Sequence, residues 1–127
     1  MFKLIIAGSR SFKNYETLCR VCDFYLQNKK EVLIISGGAR GADALGLRYA
    51  KENQLPVKIY KPNWQKYGRA GGIVRNLEMA NNAHGLLAFW NGASSGTKNM
   101  LQQAQKKELK IHVHYFNTLF SQNGQPF

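Results

Sequence analysis

The chain has 127 residues, 44% of them hydrophobic, and a formal net charge of +11. That length suits one domain with a single core, and no apolar run approaches the ~20 residues of a membrane-spanning helix. Eighteen basic residues, spread along the chain against seven acidic ones, favour anionic partners without naming them.

"KLIIAG" (3–8) is a continuous apolar run stopped by glycine and reads as a buried first strand. Too few apolar residues precede Gly8 for a signal peptide, so a cytoplasmic protein is expected. "NYETLCRVCDFYLQNK" (14–29) places apolar residues at 18, 21, 22, 25 and 26, the spacing of a helix that Asn14 can cap. Cys19 and Cys22 form a CxxC inside that helix. Cys22 shares the apolar stripe with Leu18, Val21, Tyr25 and Leu26, so packing rather than thiol or zinc chemistry is the expected role.

"EVLIIS" (31–36) reads as the second strand, "GADALGLRYAKENQ" (41–54) as the second helix and "PVKIY" (56–60) as the third strand. A loop over 61–71 leads to a third helix, "GIVRNLEMANNA" (72–83), and a fourth strand, "HGLLAFW" (84–90). "NGASSG" (91–96) is a small-residue loop, "TKNMLQQAQKKEL" (97–109) a fourth helix and "KIHVHYF" (110–116) a fifth strand. The domain is expected to occupy 1–116, followed by a tail over 117–127. Alternating strands and helices imply an α/β fold: a single doubly wound parallel sheet of five strands, order 3-2-1-4-5, with helices on both faces.

This topology predicts the site. Ligands of open α/β sheets bind beyond the carboxyl ends of the strands, where the strand order reverses. "GSRSF" (8–12), "SGGARGAD" (36–43) and "NGASSGT" (91–97) all fall at that edge. Glycine permits close backbone approach, and a helix N-terminus offers N–H donors to an anion. Ser36, Gly37, Gly38 and Gly41 before the second helix fit one phosphate cradle; Ser94, Ser95, Gly96 and Thr97 before the fourth fit another. Gly8 and Ser9 lie beside them, and Arg10 and Arg40 can add full charges. Neither loop is a GK[ST] phosphate loop or a regular GxGxxG.

Asp43 either accepts from ribose hydroxyls or helps cap the second helix. Arg75 either pairs with Glu78 along the third helix or points into the crevice, next to Asn76. Trp64 and Tyr67 either stack on a base or pack as a lid, and Trp90 ends the fourth strand at the same edge. His112 and His114 share one strand face without a third metal ligand nearby in sequence, and His84 is expected to be structural. No metal and no resident cofactor is expected.

Taken together, "GSRSF", "ISGGARGADALG", "YKPNWQKYG", "AGGIVRN", "AFWNGASSGT" and "NM" resemble the YspA-like branch of the SLOG superfamily, from about Lys3 to Val113. The resemblance implies a Rossmann-like domain that binds nucleotides or nucleotide-derived ligands, possesses bacterial and phage relatives, and forms homo-oligomers. SLOG includes Lonely Guy phosphoribohydrolases, which cleave the N-glycosidic bond of nucleoside monophosphates and carry R-K-x-x-M and P-G-G-x-G-T-x-x-E. "RNLEM" resembles the first, with Arg75 in the place of the catalytic arginine. "GASSGTKNM" resembles the second only in Gly96 and Thr97; the glutamate position is Met100, which carries no carboxylate for acid–base chemistry. An enzyme of this kind would need Glu78 or Asp43 instead. The loop "SGGARGAD" also resembles the DNA-processing protein DprA, which binds single-stranded DNA. The resulting expectation is a nucleotide-type binding protein, with a phosphoribohydrolase and a single-stranded nucleic-acid binder as alternatives.

Overall fold

In the computed structural model, which describes residues 1–117, five parallel strands form one sheet in the order β3-β2-β1-β4-β5. The strands are β1 (Phe2–Gly8), β2 (Val32–Ser36), β3 (Val57–Ile59), β4 (Gly85–Trp90) and β5 (Lys110–Tyr115). The helices are α1 (Tyr15–Leu26), α2 (Ala42–Glu52), α3 (Trp64–Tyr67), α4 (Gly71–Asn81) and α5 (Ser95–Lys106). This is the Rossmann-like α/β architecture that the alternating sequence pattern implies. The expected tail over 117–127 lies, beyond Asn117, outside the described residues.

Period-two alternation sorts the strand side chains onto two faces. Leu4, Ile6, Leu87 and Phe89 meet Leu18 and Cys22 of α1 and Tyr49 and Ala50 of α2. Ile5, Ala7, Leu86 and Ala88 meet Met79 and Ala80 of α4 and Met100 and Ala104 of α5. The central strands are buried on both faces, which is why they read as unbroken apolar runs. Each fully buried Leu or Ile here contributes roughly 1.5–3 kcal/mol. Gly46 lets α2 lie directly on β1, because a side chain there would strike Ile6.

Both cysteines are free; Cys22 is fully buried in the first core cluster, and burial pushes its thiol up. His84 accepts the backbone N–H of Lys3 on Nδ1 at 2.9 Å and stacks on Phe2, tying β4 to β1. Among the described residues no helix is long and apolar enough to cross a membrane.

Several element ends differ from the sequence reading by up to three residues, as α5 runs over Ser95–Lys106 rather than 97–109, and one segment differs in kind. Helix α1 ends at Leu26, where Lys29 N–H turns back onto the Leu26 carbonyl, rather than at 29. The segment expected as a loop over 61–71 holds α3 and a 3-10 turn, Gly68–Ala70, before α4 begins at Gly71. The signal was present in "NWQKYG": Asn63 caps α3 by accepting the Lys66 N–H at 3.0 Å, and Gly68 ends it at φ +56°.

Candidate functional site

The β1–α1, β2–α2 and β4–α5 turns meet at the carboxyl edge of the sheet. Ser9, buried at the end of β1, binds the Ser94 hydroxyl at 2.8 Å and accepts the Asn91 N–H at 3.1 Å. Gly41 closes the other junction. Its φ is +76°, and a side chain there would strike the Ser9 and Arg10 carbonyl oxygens, so only glycine lets these two turns touch.

The β2–α2 turn spends several of its own donors. Gly38 N–H binds the Ser36 hydroxyl at 3.1 Å, Ala39 N–H binds Asp43 Oδ2 at 3.3 Å, and Ala42 N–H binds the Ser9 carbonyl at 3.3 Å. Ser36 is fully buried and also donates to the Asp43 carbonyl. Asp43 therefore does not cap α2, whose N-cap is Gly41 and which has no side-chain cap; it braces the turn. Burial pushes its carboxyl above the usual range, against the N–H groups of Ala39 and Gly8 and the charges of Arg75 and Arg10, which pull it down.

Arg75 does not run along α4 to Glu78, which is solvent-exposed. It crosses to the β2–α2 turn, where Nη1 donates to the Gly37 carbonyl at 2.8 Å and, more weakly, to the Tyr60 carbonyl at 3.4 Å. Arg75 forms no ion pair among the described residues. Burial lowers its pKa, Asp43 raises it and Arg10 lowers it again. Gly37 sits between Arg75 and Asp43: a side chain there would meet Arg75 Nη1 at 2.5 Å and Asp43 Oδ2 at 2.9 Å.

Asn76 is a buried brace. Its Oδ1 accepts Arg75 Nε at 3.1 Å, and its Nδ2 donates to Asn99 Oδ1 at 3.0 Å and the Gly96 carbonyl at 3.3 Å. This orients Arg75 and fixes α4 to the start of α5. Sequence reasoning missed Asn99, because no spacing links it to Asn76, 23 residues away.

The β4–α5 turn is folded by Asn91, whose Oδ1 accepts the N–H groups of Ala93 and Ser94 at 2.9 and 3.0 Å. The Asn–Gly pair at 91–92 was the available signal. Trp90 donates its indole N–H to the Ser94 carbonyl at 3.0 Å, and the Ser94 hydroxyl donates to buried Thr97 at 3.2 Å. The first helical bond of α5 runs from Lys98 N–H to the Ser94 carbonyl, so the N–H groups of Ser95, Gly96 and Thr97 form the helix's open first turn. Ser95 and Gly96 are exposed.

Trp64 lies against the start of α4, its ring over Gly71 and Gly72, and remains 56% exposed, which leaves ring surface for a ligand. The space above Gly72 is bounded by Trp64 Cη2 at 3.7 Å and Arg75 Nη2 at 4.0 Å. Tyr67 is exposed on α3. Arg10 and Arg40 line a hollow of about 590 Å³ beside Gly41, together with Lys13, and the Arg10 charge reaches Asp43 and Arg75. Met100 is sealed in the second core cluster.

These features define a Rossmann-like α/β protein whose small-residue turns converge at the carboxyl edge of its sheet. A family model described as YspA, cpYpsA-related SLOG family (YAcAr) matches residues 2–67. The Gene 61 protein of Mycobacterium phage D29 is 32% identical over 119 residues, covering 87% of this chain and 94% of the phage protein. The chain belongs to the YspA, cpYpsA-related SLOG family. No solved structure matches it significantly.

Proposed function

We propose that the crevice holds a nucleotide or nucleotide-derived small molecule, of the kind an ADP-ribose-like signal represents, and that the protein senses or sequesters it in the cytoplasm. The observation that carries this reading is Arg75: a half-buried guanidinium without an ion-pair partner among the described residues, near an exposed tryptophan. A phosphate would lie on the open first turn of α5 and on Arg75, and a base would stack on Trp64. The cationic hollow around Arg10 and Arg40 suits a ligand with a second anionic group. Exposed Val57, Ile59, Ile73 and Leu77 support a homo-oligomer, checked by light scattering with Ile73→Ser.

A second reading is N-glycosidic hydrolysis. Asp43, a carboxyl held toward its protonated form across Gly37 from Arg75, has the character of a general acid. Against it stands Met100, buried in the position where the Lonely Guy pattern has glutamate. A third reading, single-stranded nucleic-acid binding, draws on the net charge of +11 and predicts steep salt dependence.

Native mass spectrometry with AMP, NAD, ADP-ribose and a short oligonucleotide separates the three. The expected result is a nucleotide adduct of intact mass that persists for hours. Release of free base would replace the binder with the hydrolase. Binding of the oligonucleotide alone, lost as salt rises, would replace both. No adduct and no product with any probe would overturn the site.

A further inference from the structure

A groove of about 610 Å³ lies between α1 and β5, away from the crevice. Arg20, Val21, Phe24 and Tyr25 of α1 line one side; His112 and His114 of β5 line the other. It exists because β5 is an edge strand and α1 packs mainly over the centre of the sheet, leaving the β5 histidines partly uncovered. Its volume is that of an ordinary small-molecule pocket, roughly 300–1,000 Å³.

The lining is one-sided in charge. Among the described residues no carboxylate lines the groove, while Arg20, His112 and His114 all do. Arg20 donates to the Thr17 hydroxyl at 3.3 Å, a neutral acceptor, and forms no ion pair among the described residues. The rest of the wall is uncharged, with Val21, Phe24 and Tyr25 beside Thr17 and Gln27: Phe24 is 63% exposed, and Tyr25 packs at a tilt to His112 with 6.4 Å between ring centroids. Tyr25 is fixed by its hydroxyl, which donates to the Lys110 carbonyl.

We propose that this groove is a second binding site, selective for a small molecule that joins an aromatic ring to a carboxylate or phosphate. The anionic group lies between Arg20 and the two histidines, and the ring lies on Phe24 and Tyr25. The charged groups acting on His114 are His112 on its own strand and Arg20 on α1; Phe89 of β4 contributes only a tilted ring contact. Burial first, then those two neighbours, lowers the His114 pKa. An anion between them favours the protonated ring, so binding tightens as pH falls.

The test is a nuclear magnetic resonance titration of the full chain with benzoate and with phenyl phosphate, reading the His112 and His114 ring signals. Benzyl alcohol is the uncharged control. Saturable shifts with either anion are expected, with benzoate bound several-fold more tightly at about pH 6 than at about pH 8. Arg20→Gln should weaken binding about tenfold, and Phe24→Ala should weaken it without altering the pH dependence. Shifts that never saturate, equal binding of benzyl alcohol, or unchanged affinity in Arg20→Gln would each overturn the proposal.

Discussion

The β2–α2 and β4–α5 turns are alike in composition: each joins a buried strand to a helix through glycine and small polar residues. Their backbone donors are used differently. In the first, the N–H groups of Gly38, Ala39 and Ala42 bind Ser36, Asp43 and Ser9, and Arg75 takes the Gly37 carbonyl. In the second, Asn91 and Trp90 shape the turn from one side, and the first turn of α5 faces outward with exposed Ser95 and Gly96. A glycine-rich turn before a helix therefore does two separable jobs. One turn is a brace that positions Arg75; the other leaves the donors of its helix end open.

The largest effect should come from breaking the brace. Gly41→Ala places a side chain at φ +76° against the Ser9 and Arg10 carbonyls, and should cost about 3 kcal/mol in urea unfolding. A midpoint unchanged from the parent protein would mean the two turns can separate freely, and the brace would be lost as an idea.

Next is the charge the brace positions. Arg75→Ala should weaken nucleotide binding about a hundredfold, as expected for a charge-assisted hydrogen bond to a phosphate. Calorimetry on the pair, with AMP or ADP-ribose, reads this directly. Equal affinities would move the ligand out of the crevice.

Asp43 sharpens the comparison through pH. Its folded pKa is raised above the ordinary 3.8, so between that value and the folded one the native state holds more protons than the unfolded state. Stability should therefore fall as pH rises across that window. Asp43→Asn should flatten this dependence in urea unfolding at a series of pH values. An unaltered slope would mean that Arg75, Arg10 and the loop N–H groups outweigh burial.

The smallest effect concerns the open turn. Ser95→Asp adds a negative charge to the first turn of α5 and should stabilise the fold by about 0.5 kcal/mol. The same charge should repel a phosphate and weaken nucleotide binding about tenfold. Opposite signs in the two measurements would separate the helix end from the brace; loss of both would merge them.

Much of this architecture was legible in the chain. Continuous apolar runs such as "KLIIAG" and "GLLAFW" report burial on both faces, and the strand–helix alternation then leaves few topologies. The edge at which the turns gather followed from that topology. The bracing roles of Ser9, Ser36, Asn76, Trp90 and Thr97 did not, because a serine or asparagine in a loop reads the same whether it faces a ligand or another loop. The short helix α3 was missed although Asn63 and Gly68 mark its ends, because four residues give no periodicity to detect.

What the amino-acid order determined by itself was local and periodic: which segments are strands, which are helices, and where glycine permits a turn. Only the tertiary structure decided which donors are committed and where Arg75 points. Those contacts join residues far apart in the chain, Ser9 to Ser94 across 85 positions and Arg75 to Gly37 across 38. Their partners are set by the lateral order and register of parallel strands, which bring the ends of β1, β2 and β4 together only once the sheet has formed.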